Sequence, residues 1–135
     1  MAHYAFLDDN NIVVQVIVGK DEDEMLDGKL VDWEDFYSKE TGLTCKRTSF
    51  NTQHNAHSLG GTPFRGNYAS IGFFYNSTDD VFISPKPFES WYLNTSTWTW
   101  EPPVEFPFEA GVPHDWDEST RSWVSAPIPN EDLWA

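Results

Sequence analysis

The chain is short, rich in aromatic side chains and strongly acidic. Its 135 residues fit one domain with at most a small appendage, and 16% of them are aromatic. Eight Lys and Arg stand against 22 Asp and Glu, so the formal net charge is −14. Because proteins bind nucleic acid by neutralising its phosphates, this charge argues against a nucleic-acid partner.

Cysteine usage and hydropathy narrow the class further. Cys45 is the single cysteine, which excludes an intrachain disulfide and a CxxC motif. Residues 1–9 lack the basic end and apolar run of a signal peptide, and no segment reaches membrane-spanning length. We therefore expect a soluble protein that is made in a cytoplasm and has no membrane partner.

The first 19 residues have the pattern of a β-hairpin. Two apolar, β-prone runs flank the polar turn DDNN at 8–11, where side chains readily hydrogen-bond to the backbone. The second run, IVVQVIV at 12–18, is apolar at nearly every position. We interpret it as a strand that is buried on both faces and central in its sheet.

An acidic tract at 20–42 contains the predicted helix. Asp32 is a suitable N-cap for a helix over about 33–41, and Gly42 is a suitable residue to end it. Three aromatic residues share one face of that helix: Trp33, Phe36 and Tyr37. We expect this face to cap a sheet.

Residues 41–78 contain no Asp or Glu, although the chain as a whole is acidic. Much of this segment, 51–70, is a polar loop of a length that is uncommon unless the loop is functional or ordered by a partner. We predict that its cations and histidines dock on a partner protein. These residues are Lys46, Arg47, His54, His57 and Arg65.

The same segment holds the candidate metal ligands and the candidate reactive thiol. A zinc site needs three or four ligands, whereas the HxxH pair at 54–57 supplies two, so we interpret both histidines as loop residues and expect no cofactor. Cys45 lies beside Lys46 and Arg47 and would be an activated thiol if it were exposed. We favour the alternative, in which Cys45 is a small buried hydrophobe.

The rest of the chain repeats one pattern three times, at 74–85, 92–103 and 115–126. In each copy an apolar residue precedes Asn or Asp, polar residues follow, and an aromatic residue stands six positions after the Asn or Asp. The Asn or Asp residues are Asn76, Asn94 and Asp117, and the aromatic residues are Phe82, Trp100 and Trp123. The pattern predicts hairpins whose aromatic residue packs across on the apolar one.

The repeat assigns most of the tryptophans to packing. Trp100 and Trp123 are predicted core residues, paired with Leu93 and Trp116. The alternative is an aromatic face that stacks on sugars. Its candidate residues are Trp91, Tyr92, Trp98 and Trp134.

These elements predict a mainly β fold, an antiparallel sheet or sandwich of short strands and repeated hairpins with one short helix. We expect a main β domain at 1–103 and a Pro-rich, acidic hairpin appendage at 104–135. Asp79 and Asp80 imitate the carboxylate pair of a glycosidase, but Asp is also expected in a hairpin turn. Since no nucleophile or phosphate-loop motif stands in a suitable context, we expect no enzyme.

The order of motifs along nearly the whole chain resembles a group of small proteins carried by marine tailed bacteriophages, notably those of cyanobacteria. The matching segments are MAHYAFLDDNNIVV at 1–14, TSFNTQHNAH at 48–57, the stretch 67–94, which begins NYASIGFFYN and ends SWYLN, and WDESTRSW at 116–123. Ser70 replaces a usual Gly, and Phe73 with Phe74 replaces a usual Tyr-Thr pair. The resemblance implies a viral setting and no activity for any residue.

In a viral setting, a small, acidic, aromatic-rich β protein without catalytic groups suits a structural component of the virus particle. It would decorate or cement the capsid, or attach to the tail, by docking on a major virion protein, and copies could form a homo-oligomer on the particle. A first alternative is a module that binds a carbohydrate or receptor at the host surface. A second alternative is an effector that binds a host protein.

Overall fold

The computed structural model describes residues 2–126, and within that range the fold is mainly β with one helix, as predicted. The first strands are β1 (Ala2–Leu7), β2 (Val13–Gly19), β3 (Met25–Leu26), β4 (Lys29–Leu30), β5 (Thr44–Thr48), β6 (Thr52–Gln53) and β7 (Ala56–His57). The later strands are β8 (Phe74–Asn76), β9 (Val81–Ile83), β10 (Tyr92–Asn94), β11 (Thr99–Glu101), β12 (His114–Asp117) and β13 (Ser122–Ser125). The helix α1 spans Trp33–Thr41 and lies between β4 and β5 in sequence.

The chain divides into two compact units. The first unit comprises the described residues up to Pro85 together with Asn94–Thr99. The second unit comprises Lys86–Leu93 and the described residues from Trp100 onward. The predicted domain boundary at residue 103 stays a prediction.

β1 is the central strand of a three-stranded antiparallel sheet of order β2-β1-β5. Tyr4 of β1 pairs with Ile17 on one side and with Arg47 on the other. Because successive side chains of a strand point to opposite faces, β1 contributes to two separate core clusters. Ala5 and Leu7 lie in one cluster, whereas Ala2, Tyr4 and Phe6 lie in the other.

The prediction that residues 12–18 form a central strand buried on both faces is wrong. β2 lies at the edge of the sheet, and Val14 and Val18 are 42% and 57% exposed. Apolar, β-branched composition favours strand formation, but it does not determine the position of the strand within the sheet. That position depends on which strands pair with one another. β5 pairs with β1, so β1 takes the central position.

The helix α1 covers one face of this sheet, as predicted. Asp32 caps it by accepting a hydrogen bond of 3.2 Å from the backbone amide of Asp35, and Gly42 ends it with φ of 74°. The predicted aromatic face packs on the cluster of Tyr4 and Phe6. Burial of these rings is what holds the helix, because nine residues are too few for a stable isolated helix.

The opposite face of the sheet is covered by the segment around β8 and β9. On this face, the cluster of Ala5 and Leu7 also contains Ala69, Tyr75 and Phe82, and Phe82 is fully buried. Tyr75 and Phe82 are directly paired across the β8–β9 hairpin. The central sheet is therefore the middle layer of the first unit.

The three repeats form hairpins, as predicted. Trp116 pairs with Trp123 across β12 and β13, as Tyr75 does with Phe82 across β8 and β9. In all three hairpins the Asn or Asp side chain accepts a hydrogen bond from the backbone amide two residues later. These bonds run from Thr78 to Asn76 (3.0 Å), from Ser96 to Asn94 (2.8 Å) and from Ser119 to Asp117 (3.1 Å).

Each of these turns also ends on a residue in the left-handed region. Four positions after the Asn or Asp stand Asp80 with φ of 55°, Trp98 with 57° and Arg121 with 51°. Side chains other than glycine adopt this conformation at a cost of about 1 kcal/mol. The shared backbone geometry explains why the sequence pattern keeps a fixed spacing.

No helix within residues 2–126 combines the length and the apolar character needed to cross a bilayer.

Candidate interaction sites

Arg65 is the most extensively bonded of the residues that we predicted to dock on a partner. Its side chain is 13% exposed, and Nη1 donates to Glu34 Oε2 at 2.7 Å and to the Arg47 carbonyl at 2.9 Å. Its Nε lies 2.8 Å from Asp80 Oδ1. One guanidinium thus joins α1, β5 and the β8–β9 turn.

The Nε contact is an ion pair and not an aligned hydrogen bond, since this nitrogen is buried without a hydrogen-bond acceptor in the described part of the chain. Burial lowers the pKa of Arg65, but the hydrogen bond and charge of Glu34, with the charge of Asp80, outweigh it and raise the pKa above its ordinary value. The guanidinium therefore stays charged, and its charge is balanced inside the molecule.

Asp80 has a second partner in Tyr75, whose hydroxyl donates a short hydrogen bond to Oδ1. Burial, reinforced by this hydrogen bond, raises the pKa of Tyr75 to about 12. Asp80 therefore serves both as a counter-ion of Arg65 and as an acceptor for Tyr75. That double role gives Asp80 a structural function in this turn.

Arg47 is likewise engaged by the molecule itself. Its backbone amide donates to Glu34 Oε2 at 2.6 Å, and its guanidinium pairs with Glu22. The guanidinium carbon lies 3.9 Å from the centroid of the Phe64 ring, which is a cation–π contact. A cleft of about 320 Å³ lies here, lined by Tyr4, Glu22, Trp33, Glu34, Arg47 and Phe64, among others.

Lys46 is half-buried, and its Nζ lies 5.6 Å from the centroid of the Tyr75 ring. Residues 41–78, which we call the acid-free segment, contain three cations, and all three thus have partners within the first unit. The acids that pair with Arg47 and Arg65 lie outside that segment, which is why composition alone suggested a free basic surface. A contact of these cations with another protein stays a prediction.

The two histidines shape their loop. Thr52 pairs with His57 in the hairpin of β6 and β7, and His54 and Asn55 form its turn with φ of 52° and 57°. His54 is exposed. His57 is half-buried, and its Nδ1 accepts hydrogen bonds of 3.1 Å from the amides of both Leu59 and Gly61.

Two buried polar residues fasten this loop to the first unit. Thr52 Oγ1 accepts from the Phe64 amide at 3.0 Å. Asn67 accepts from the His54 amide at 2.9 Å, and its Nδ2 donates to the carbonyls of Phe82 and Trp98 at 2.9 and 2.8 Å. The chain's own hydrogen bonds therefore hold the segment 51–70 against the first unit.

Cys45 is buried, as favoured from the sequence, and burial raises the pKa of its thiol to about 12. This raised pKa is the opposite of what an activated nucleophile needs. Within residues 2–126, no three side chains among His, Cys, Asp and Glu come together in a way that could hold a metal ion.

Trp91 packs in an aromatic cluster of the second unit. Its ring centroid lies 5.6 Å from that of Phe88, 5.9 Å from Trp116 and 6.2 Å from Trp123. Its Nε1 is buried without a hydrogen-bond acceptor among the described residues. By contrast, Trp116 Nε1 donates to Glu118 Oε1, and Trp123 Nε1 donates to the Val104 carbonyl. Trp116 and Trp123 are thus held in place on both their ring faces and their polar edges.

Glu118 links Ser90 to Trp116 by hydrogen bonds beside this cluster. It accepts hydrogen bonds from the amide and the hydroxyl of Ser90, at 3.0 and 2.5 Å, and from Trp116 Nε1 at 2.9 Å. The Ser90 bonds first, and then the Trp116 bond, lower the pKa of Glu118. The sequence showed Glu118 only as a residue of a polar turn and did not reveal this role.

Tyr92 is 52% exposed and donates from its hydroxyl to Glu101 at 2.8 Å. It borders a groove of about 440 Å³ in the second unit, which we call the aromatic groove. Its apolar lining residues are Tyr92, Pro102, Pro103, Phe106 and Phe108, and its carboxylates are Glu101 and Glu105. Phe108, which is 88% exposed, was missed from the sequence, where it stood only as one of several aromatics in a Pro-rich stretch.

Trp98 belongs to the first unit and is half-buried in the turn between β10 and β11. Its ring packs so closely on Gly66 that a Cβ atom on that glycine would lie 3.2 Å from Trp98 Cδ1. Tyr92 is the most exposed of the three predicted aromatic contact residues that the structure describes, Trp91, Tyr92 and Trp98. Trp134 lies outside the described residues.

No protein-family model, curated protein or solved structure matches this chain.

Proposed function

We propose that the chain is a non-enzymatic structural component of a tailed-bacteriophage particle, either a capsid decoration or cement protein or an accessory protein of the tail. The observation that carries the proposal is the aromatic groove, in which the exposed Phe108 lies with two prolines and two carboxylates. An apolar surface bordered by polar groups is typical of protein interaction sites. In this proposal the groove docks on a larger virion protein.

Charge and sequence add support. The net charge of −14 keeps free copies soluble and apart, so docking on a particle would depend on an apolar contact and not on general attraction. Many copies on a regular lattice are held durably by modest individual contacts, through avidity. The resemblance of the motif order to proteins of marine tailed phages supports the viral setting.

The proposal is tested by quantitative mass spectrometry of gradient-purified particles. We expect the chain at a fixed ratio to the major capsid or tail protein, and a Phe108→Asp variant at a clearly lower ratio. Leu59→Asp is the matched control, because Leu59 is 79% exposed in the first unit and outside the groove. Absence of the wild-type chain from particles, with abundance in the lysate, would contradict the proposal.

The aromatic groove also favours a second candidate function, binding of a host-surface carbohydrate. Tyr92 and Phe108 offer exposed rings, and Glu101 and Glu105 offer hydrogen-bond acceptors in the same groove. Concave apolar sites with a few polar groups are typical of small-ligand binding. A glycan array tests it: a specific glycan should bind the wild type and Tyr92→Phe, which keeps the ring, but not Tyr92→Ala.

A further inference from the structure

The outer edge of β2 is the open edge of the central sheet. At the opposite edge of the sheet, which β5 forms, the Arg47 amide already donates to Glu34 Oε2 at 2.6 Å. Within residues 2–126, β2 has no neighbouring strand other than β1 along most of its length. A strand edge of this kind presents backbone donors and acceptors that pair with another extended chain.

The chain itself closes the beginning of this edge. The Val13 amide donates to the Phe73 carbonyl, and the Val13 carbonyl accepts from the Gly72 amide, both at 2.8 Å. The Tyr75 amide donates to the Asn11 carbonyl at the same distance. Residues 72–75 therefore cover the edge up to residue 13.

Two tyrosine hydroxyls close the other end. The Lys20 amide donates to Tyr37 Oη at 3.0 Å, and the Lys20 carbonyl accepts from Tyr4 Oη at 2.7 Å. Backbone groups along an antiparallel strand point alternately toward and away from its partner, so counting back from Lys20 gives Val18 and Val16 as outward-facing. Within residues 2–126, no residue outside β1 hydrogen-bonds to the backbone of either.

The side chains do nothing to block this open edge. The strand VVQVIVG carries no charged residue and no proline, the devices that usually prevent edge pairing. Val14 and Val18 are exposed, so apolar, β-branched surface accompanies the open backbone groups. The charges stand beyond the strand, with Asp8 and Asp9 before it and Lys20 followed by the acidic run at 21–24 after it. Lys20 pairs with Glu24 and Arg47 with Glu22, and with both cations counted this end of the strand still carries a net negative charge.

We propose that the β2 edge binds an extended strand of another protein by β-augmentation, and that this strand is apolar at its centre and basic at both ends. Acidic residues at both ends of the edge select basic flanks. A second copy of this chain is a poor occupant, because pairing in either direction brings the acidic flanks of two chains together. The inference goes beyond the proposed function and holds wherever the protein resides.

The test measures fluorescence anisotropy of a labelled synthetic peptide, Lys-Lys-Val-Thr-Val-Thr-Val-Lys-Lys, titrated with the full chain. We expect saturable binding, and no binding of a peptide with Glu in place of each Lys. Val18→Pro should weaken binding about tenfold, because it removes one outward-facing donor and obstructs pairing. Val18→Ala, which keeps the amide, should bind within about twofold of the wild type, since only an exposed methyl pair is lost.

Val18→Pro is expected to fold, because proline is tolerated where the amide faces away from the sheet. If its circular dichroism shows unfolding, Val18→Lys replaces it, since a lysine on the edge repels the basic peptide while leaving the backbone intact. Equal peptide binding by wild type and Val18→Pro, or no binding by the wild type, would overturn the proposal. So would dimerisation in sedimentation that Val18→Pro abolishes, because the occupant would then be a second copy.

Discussion

Arg65 Nη1 lies 2.7 Å from Glu34 Oε2, and this contact ties the acid-free segment to the first turn of α1. The same guanidinium reaches Asp80 in the β8–β9 turn. Glu34 and Asp80 lie 46 positions apart in sequence, so one side chain fastens distant parts of the first unit. Arg65 is therefore first of all a structural residue.

Replacing Arg65 tests this role. Arg65→Ala leaves Glu34 and Asp80 without their counter-ion and is expected to lower the free energy of unfolding by about 2 kcal/mol, less than for a fully buried pair because both acids are partly exposed. Urea denaturation measures the change. Lys29→Ala, at an exposed site in β4, is the control and should change it by less than about 0.5 kcal/mol. Equal effects of the two substitutions would refute a structural role for Arg65.

Gly66 is expected to tolerate no side chain. Its φ is 74°, and an added Cβ would lie 3.2 Å from both Val81 Cβ and Trp98 Cδ1. Gly28 has nearly the same φ, 77°, and no atom of the described residues 2–126 lies within 4 Å of an added Cβ. We expect Gly28→Ala to lower the free energy of unfolding by about 1 kcal/mol, and Gly66→Ala to lower it by at least about twice as much. Similar unfolding midpoints for the two variants would show that the contact with Trp98 does not matter.

Acid should loosen the second unit through Glu118. Hydrogen bonds from Ser90 and Trp116 lower the pKa of Glu118 below its ordinary value of 4.5. A lowered pKa means that the carboxylate stabilises the fold above about pH 4.5 and that this stabilisation is lost as the pH falls through the folded-state pKa. Tryptophan fluorescence followed against pH should show an acid transition that Glu118→Gln removes. A transition unchanged by the substitution would assign it to other groups.

Alkali should act on the first unit through Tyr75. The pKa of Tyr75 is raised from 10.0 to about 12, so its protonated form stabilises the fold fully below pH 10.0 and loses that effect toward pH 12. The phenolate absorbance of wild type minus Tyr75→Phe isolates this residue. We expect the difference to rise near pH 12, and a rise near pH 10.0 would contradict the hydrogen-bonded burial of Tyr75.

Features set by nearby residues were predictable from the sequence. The helix at 33–41 carries its own cap at Asp32 and its own stop at Gly42, and both act within a few residues. The three hairpins likewise depend on a turn whose Asn or Asp bonds to the backbone two residues later. Local hydrogen bonding leaves a local signature in the sequence.

Features set by distant residues were not predictable in this way. The order of strands in the central sheet depends on the pairing of β5 with β1, which no local pattern encodes. The counter-ions of Arg65 come from α1 and from the β8–β9 turn, outside the segment whose composition drew attention. For the same reason the open edge of β2 is visible only once the strand order is known.

The most direct test of the proposed function is to label purified virus particles with an antibody against this chain and to image the label by electron microscopy. We expect regular label at fixed positions on the head or the tail. Particles without label, together with a strong signal in the particle-free lysate, would contradict a structural role.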